Sequence, residues 1–199
     1  MMTNLTLAIL CGLFVVSPLP AADGPCVIAG RGHFYIHTGT AGLFGAFAHD
    51  HLIEAQKVEG CAMVDSKETA NSSIKLVFPT ASLRVNDPKE SVGNKAKIQM
   101  TMATDVLGVA EYPEVVFESV RMERTAPDTL RVHGNLTIRG KTQPLVIPVK
   151  LTRLDDGVYR ATGEYAFKQT TFGIRPVQLA GGTIKVKDEI RAEFELFLK

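Results

Sequence analysis

The segment at residues 184–198, IKVKDEIRAEFELFL, alternates apolar and charged residues with a period of two. One set of positions is apolar, with Asp188 as its exception: Ile184, Val186, Ile190, Ala192, Phe194, Leu196 and Leu198. The positions between them, except Phe197, and the residue that follows carry charge: Lys185, Lys187, Glu189, Arg191, Glu193, Glu195 and Lys199. Because neighbouring side chains of a strand point to opposite faces, this pattern predicts a strand with one buried and one wet face.

The same period recurs in most of the preceding chain. Residues 130–138 and 145–151 alternate in this way on either side of Gly140-Lys141-Thr142-Gln143, which predicts two adjacent strands joined by a turn. Further strands are expected at residues 33–41, 51–65, 73–85, 114–124 and 158–168. Proline, asparagine, aspartate and glycine favour bends, and they separate these segments at Asn86-Asp87-Pro88, Ala126-Pro127-Asp128 and Asp155-Asp156-Gly157.

One stretch, residues 91–107, has a helical rather than a strand period. Ile98, Met102 and Val106 follow one another at spacings of four, which places them on one face of a helix. Ser91 is expected to cap the start of this helix and Gly108 to end it.

These patterns predict an all-β protein with one minor helix, folded as an antiparallel barrel of about eight strands with a helical cap. A barrel of this size is either filled by its own side chains or encloses one small ligand. The sequence alone leaves both alternatives open.

The charge balance argues against a nucleic-acid partner. The 199 residues include 22 lysines and arginines against 21 acidic residues, a net charge of +1, and 45% of residues are hydrophobic. A surface that neutralises phosphates needs a clear basic excess.

The first 22 residues carry no charge and include an apolar run from Leu5 to Val16, which is typical of a signal peptide. We expect cleavage near Ala22, residues 23–199 as the mature domain, and a periplasmic or secreted location. An uncleaved anchor is the alternative, although the run is shorter than the roughly 20 residues that span a bilayer. Cleavage would leave Cys26 and Cys61 as the two thiols of the mature chain, which predicts a disulfide between them.

Several motifs, in their order along the chain, resemble the YceI-like, polyisoprenoid-binding family over about residues 33–198. They are MATDVL at 102–107, YPEVVFES at 112–119, VHGNLTIRGKT at 132–142, FGI at 172–174 and VKDEI at 186–190. The resemblance implies an extended lipocalin-like barrel with a helix at one end, whose tunnel holds a long isoprenoid chain. Near its start the chain departs from the commoner family pattern with a His-Asp-His element at residues 49–51.

An isoprenoid tail requires a dry cavity, with a few polar groups at the mouth to place its head. The residues expected to contact the lipid are apolar or aromatic: Phe44, Phe47, Phe78, Ile98, Met102, Val106, Phe117, Leu136, Ile138, Tyr165, Phe167, Phe172 and Phe194. The residues expected at the polar rim are His49, His51, Arg175 and Asp188. Asp188 shares its strand face with apolar residues, so it needs a partner, and Arg175 is a candidate.

The spacing of His49 and His51 is compatible with shared metal ligation, with His33 or His37 as further ligands. The alternative is a set of hydrogen-bonded histidines at the rim. No Gly-x-Ser-x-Gly, phosphate-binding glycine loop or His-Glu-x-x-His motif is present, and no cofactor is expected beyond a lipid ligand.

Three functions follow from these observations. The first is an exported carrier, storage or sequestering protein for an amphiphilic lipid, which contacts membranes only transiently and is a monomer or homodimer. The second is a small metal-binding protein or metalloenzyme that uses His49 and His51. The third is a ligand-free stress or interaction protein with a packed barrel.

Overall fold

The computed structural model describes residues 24–41, 50–65 and 67–199. Eleven strands and one α-helix follow in chain order: β1 (Val27–Ala41), β2 (His51–Ala55), β3 (Glu59–Met63), β4 (Ser73–Pro79), β5 (Leu83–Val85), α1 (Val92–Thr101), β6 (Glu114–Ala126), β7 (Thr129–Ile138), β8 (Lys141–Arg153), β9 (Tyr159–Lys168), β10 (Gln178–Leu179) and β11 (Ile184–Leu198). A π-helical turn, Met102–Val106, continues α1. The described residues also form four short 3-10 helices: Thr69–Asn71, Thr80–Ser82, Gln169–Phe172 and Ala180–Gly182.

The strands form one antiparallel sheet that curls into a barrel. Its order is β3-β4-β6-β7-β8-β9-β11-β1-β2-β5, with the short β10 paired to β11. The two ends of this path meet, because β2 runs into β3 and β4 runs into β5 as two long bent strands. When each bent strand is counted once and β10 is set aside, eight strands form the wall. The predicted fold class is therefore confirmed.

A disulfide joins Cys26 to Cys61, the pair expected from the sequence, where the start of β1 meets β3. Backbone hydrogen bonds flank it, since the amide of Ala62 donates to the carbonyl of Pro25 at 2.9 Å, and the amide of Cys26 to Lys199 at 2.8 Å. The disulfide thus ties β3 to the start of β1 at one end of the barrel, where Cys26 also hydrogen-bonds to Lys199 after β11.

Two predicted strands are each broken in the structure. The segment expected at 51–65 divides into β2 and β3, and the one at 73–85 divides around the 3-10 helix Thr80–Ser82. The inward-facing apolar positions change from odd to even numbers at the first break and from even to odd at the second, which an unbroken strand would not show. These breaks let two strands follow the curvature of the wall.

The predicted helix begins as expected, because the side chain of Ser91 accepts a hydrogen bond from the amide of Asn94 at 3.2 Å. Gly108 ends it with a left-handed backbone (φ 60°). However, α1 itself buries no residue. The apolar side chains that close the barrel come from the π-helical turn and the next residue, Met102, Val106 and Leu107.

Two glycines let aromatic rings lie flat against the inner wall. A Cβ at Gly134 would lie 2.5 Å from the ring of Phe117, and one at Gly163 would lie 2.7 Å from the ring of Phe194. These distances are too short for any larger residue, so both rings occupy space that a side chain would otherwise fill.

Candidate functional site

The barrel encloses a cavity of about 370 Å³. This volume falls within the range of about 300 to 1,000 Å³ that is typical of small-molecule sites. Every long strand contributes to its wall, mainly through the apolar side chains that alternate toward the inside. The barrel is therefore hollow over part of its interior, which decides between the two alternatives that the sequence left open.

Aromatic side chains form the middle of the cavity wall. The ring of Phe34 lies 4.6 Å from that of Phe78 and 5.8 Å from that of Phe194, measured between ring centroids. Toward the helix, the rings of Tyr165 and Phe167 stack at 6.3 Å. Aromatic contacts of this kind stabilise the packing of these rings against one another.

The end of the barrel that carries β3 and the loop after it, here called the loop end, exposes apolar side chains. Met63 and Val64 are each 58% exposed and also line the cavity. The neighbouring Asp65 accepts hydrogen bonds from the amides of Lys67 and Glu68, at 2.8 and 2.9 Å. Hydrogen bonding, first from the Glu68 amide, lowers the pKa of the Asp65 carboxyl, so an ionised group stands beside this apolar mouth.

The opposite end, here called the helix end, is covered by the π-helical turn. The guanidinium of Arg139 donates to the carbonyls of Asp105 and Val106, at 3.0 and 3.2 Å, and so holds this turn over the barrel. Gln169 is buried here and lines the cavity, with its amide donating to the carbonyl of Lys187 at 2.9 Å. Polar groups therefore lie at both ends of an apolar space.

Most of the residues predicted to contact a lipid line this cavity: Phe78, Met102, Val106, Phe117, Leu136, Ile138, Tyr165, Phe167 and Phe194. Two do not. Ile98 lies on α1, outside the cavity, and Phe172 is buried in a small cluster with Ile138 and Ile174. Phe44 and Phe47 lie outside the described residues.

The predicted partner of Asp188 was wrong. Its carboxylate accepts hydrogen bonds from the amide and the hydroxyl of Thr170, at 2.9 and 2.7 Å, whereas Arg175 is exposed. The Thr170 hydroxyl is the main cause that lowers the pKa of the Asp188 carboxyl. A 3-10 helix, Gln169–Phe172, brings Thr170 to this place, and its short sequence offered no periodic signal.

The histidines lie on both faces of the sheet. His33 and His37 lie on the outer face of β1, where Glu195 and Glu193 are their partners at 3.9 and 3.1 Å. His51 pairs with Thr38, which lines the cavity, and therefore lies on the inner face. Neither outer histidine can therefore bind the same metal ion as His51. His49 lies outside the described residues.

His51 stands at the rim of the helix end, where its Nδ1 atom is 3.2 Å from the Oδ2 atom of Asp87. Asp87 is buried, and the sequence analysis placed it only in a turn. Glu90 follows in the same loop, and its carboxylate lies near both. The sequence analysis missed both acids, although an aspartate beside a proline, followed by a glutamate, marks a loop that can present carboxylates.

A curled antiparallel barrel around an apolar cavity defines a class of small-ligand binding proteins. No helix in the described part of the chain is both long and apolar enough to cross a membrane. The model of the YceI-like domain matches residues 33–198, and the chain belongs to this family.

Relatives of known sequence include UPF0312 proteins. One from Azotobacter vinelandii is 28% identical over 144 residues, which cover 70% of this chain and 67% of the relative. One from Yersinia pestis is 28% identical over 155 residues, which cover 76% of this chain and 65% of the relative. The chain thus spans about two thirds of the length of these relatives.

Solved structures share the fold at low sequence identity. BcnA of Burkholderia cenocepacia aligns with a TM-score of 0.68 and 18% identity, over 86% of this chain and 98% of that one. A polyisoprenoid binding domain from Saccharophagus degradans, implicated in plant cell wall breakdown, aligns with a TM-score of 0.65 and 10% identity, over 88% of this chain and 98% of that one. The YCEI protein of Campylobacter jejuni aligns with a TM-score of 0.57 and 15% identity, over 73% and 82%.

Proposed function

We propose that this protein is an exported binding protein, not an enzyme, that holds the tail of an amphiphilic, isoprenoid-type lipid inside the barrel. The apolar cavity of about 370 Å³ carries this proposal. Its function would be to carry, store or sequester the lipid. We expect a monomer or homodimer that contacts membranes only transiently.

The energetics favour a hydrocarbon tail as the occupant. Transfer of one CH₂ group from water into an apolar site contributes about 0.8 kcal/mol, so a five-carbon isoprene unit contributes at most about 4 kcal/mol. Part of this gain is offset by the cost of ordering the chain. Two buried units therefore contribute at most about 8 kcal/mol, which corresponds to a Kd of about 1 μM before the cost of ordering is subtracted.

The ends of the cavity suit an amphiphile better than a plain hydrocarbon. At the loop end, Asp65, Ser72 and Arg124 border a mouth that also exposes Met63 and Val64. An apolar tail can pass between exposed apolar side chains, while a polar head remains among groups that hydrogen-bond. The polyisoprenoid binding domain of similar fold supports this class of ligand.

Export is supported by two features of the chain. The uncharged, apolar segment in residues 1–22 is typical of a signal peptide, and the disulfide between Cys26 and Cys61 is favoured in an oxidising compartment. Amino-terminal sequencing of the protein recovered from the periplasmic fraction tests this part. We expect a mature chain that starts near Asp23, and an intact first residue in the membrane fraction would contradict it.

The lipid itself is tested by native mass spectrometry of the protein purified without detergent from its own host. We expect a one-to-one adduct that organic extraction removes and that fragments as an isoprenoid. A protein made in a cell-free system without lipids is the control, and it should carry no adduct. Protein from the host that carries none either would favour the ligand-free interpretation and contradict the proposal.

A further inference from the structure

Three metal-ligating side chains meet at the helix end of the barrel. They are His51 at the start of β2, and Asp87 and Glu90 in the loop between β5 and α1. One ligand atom from each, the imidazole Nδ1 or Nε2 and a carboxylate oxygen, can be chosen so that all three lie within 4.8 Å of one another. We propose that this cluster, the His51–Asp87–Glu90 site, binds one divalent transition-metal ion such as Zn²⁺.

The distances suit a coordination shell. Zn²⁺ binds histidine nitrogen and carboxylate oxygen at about 2.0 to 2.2 Å, so neighbouring ligands of a tetrahedral ion lie about 3.3 Å apart. The Nδ1 atom of His51 and the Oδ2 atom of Asp87 are already 3.2 Å apart. Glu90 has to approach further, and its side chain is half-buried rather than packed in the core.

The charges at this place favour a cation. The side chain of Asp87 is only 3% exposed, so water screens its charge little. Glu90 brings a second negative charge within a few ångströms. A divalent ion between the two carboxylates removes their repulsion.

Hydrogen bonds outside the cluster orient its ligands. The amide of Lys89 donates to Oδ1 of Asp87 at 2.9 Å, which leaves Oδ2 directed at His51. The side-chain amide of Asn94 donates to Oε2 of Glu90 at 3.1 Å. Metal sites commonly hold one oxygen of a carboxylate in this way while the other binds the ion.

The ligand types narrow the choice of metal. One imidazole and two carboxylates suit Zn²⁺, Mn²⁺ or Fe²⁺, whereas Ca²⁺ and Mg²⁺ prefer oxygen ligands throughout, and Cu⁺ prefers sulfur. Three protein ligands leave at least one position for water or another small ligand. This set differs from the one the sequence suggested, because His33 and His37 lie on the outer face.

The test is a titration of the untagged, full-length protein, first treated with a chelator and then followed with Zn²⁺ by calorimetry. We expect one equivalent to bind, and His51→Gln and Glu90→Gln each to weaken binding by at least about 100-fold. His37→Gln is the matched control, since it removes a histidine whose partner is also a carboxylate, and it should leave the affinity unchanged.

Thermal unfolding separates a metal site from a structural hydrogen bond. Zn²⁺ should raise the Tm of the wild type and of His37→Gln, and should leave that of His51→Gln and Glu90→Gln unchanged. The proposal is overturned if less than half an equivalent binds, or if both variants bind Zn²⁺ as the wild type does. It is also overturned if His51→Gln lowers the Tm while Zn²⁺ raises the Tm of neither the wild type nor this variant. The cluster would then only stabilise the loop between β5 and α1 by hydrogen bonding.

Discussion

Replacement of Ala161 by phenylalanine should block the cavity without unfolding the barrel. Ala161 lies on β9, is 8% exposed and lines the cavity. An engineered cavity of about 150 Å³ is enough to hold a benzene molecule, so one added ring takes roughly 40% of the 370 Å³ present here. The ring therefore has room inside the barrel, and it occupies the space that a lipid tail would need.

The expected loss of affinity follows from the carbons that are displaced. A phenyl ring excludes about six carbons of a bound chain, and at about 0.8 kcal/mol each this is about 5 kcal/mol. Because about 1.4 kcal/mol corresponds to a factor of ten, the Kd should rise by about 10³ to 10⁴. Overpacking costs about 1 to 3 kcal/mol in a filled core, and the open space should keep the loss of stability at or below the lower value.

The assay is binding of a fluorescent isoprenoid, with thermal unfolding measured on the same samples. Thr162→Phe is the matched control, because it adds a ring at the next position, on the outer face of the same strand, where Thr162 pairs with Lys150 and Glu195. It should bind as the wild type does. Wild-type affinity in a folded Ala161→Phe variant would refute the reasoning that the tail lies inside the barrel.

Three further predictions concern the cavity mouth at the loop end, the disulfide that joins β1 to β3, and the Asp188 carboxyl. Met63→Glu at the loop end should slow uptake of an isoprenoid from vesicles at least tenfold, while Met100→Glu on the exposed α1 should not; equal rates would contradict entry at the loop end. Reduction of the disulfide, which spans 35 residues, should lower the free energy of unfolding by about 3 to 4 kcal/mol in denaturant titrations. An unchanged midpoint would contradict a stabilising role of this disulfide. Thr170→Val should raise the pKa of the Asp188 carboxyl, measured by NMR, because one of its hydrogen bonds is lost.

The effect of Thr170→Val on stability should depend on pH. Hydrogen bonds lower the pKa of Asp188 in the folded protein, so its contribution to stability is fully present above the ordinary pKa of the carboxyl. That contribution is lost as the pH falls through the lower, folded value. The difference in free energy of unfolding between Thr170→Val and the wild type should therefore be smaller below this range of pH and larger above it. A difference that is independent of pH would contradict the assignment of Thr170 as the hydrogen-bond donor to Asp188.

The strand pattern was predictable because burial in a barrel imposes a period of two. Residues 184–198 show this period over the whole of β11, and the structure has it as one uninterrupted strand. The breaks in the two bent strands were missed, although the inward-facing apolar positions change parity at each of them. The position of Ile98 outside the cavity was also missed, because helical spacing says which residues share a face but not what that face packs against.

The cavity wall was predictable for the same reason, because inward-facing apolar residues of a barrel either fill it or line its space. Whether a cavity remains depends on how large side chains pack against one another across the barrel, as Phe34, Phe78 and Phe194 do. Which side chains meet across the barrel cannot be determined from one sequence. The rim was predicted less well. Asp87 and Glu90 meet His51 only because the end of β5 lies beside the start of β2, a pairing between distant segments.

The most direct test of a lipid-holding barrel is a crystal structure of the protein purified, without delipidation, from a host that makes isoprenoid lipids. The account predicts continuous electron density for a hydrocarbon chain inside the barrel, in contact with Phe34, Phe194 and Met102, with its polar end at the loop end. A barrel interior that holds only water, or that has closed by movement of these side chains, would contradict it.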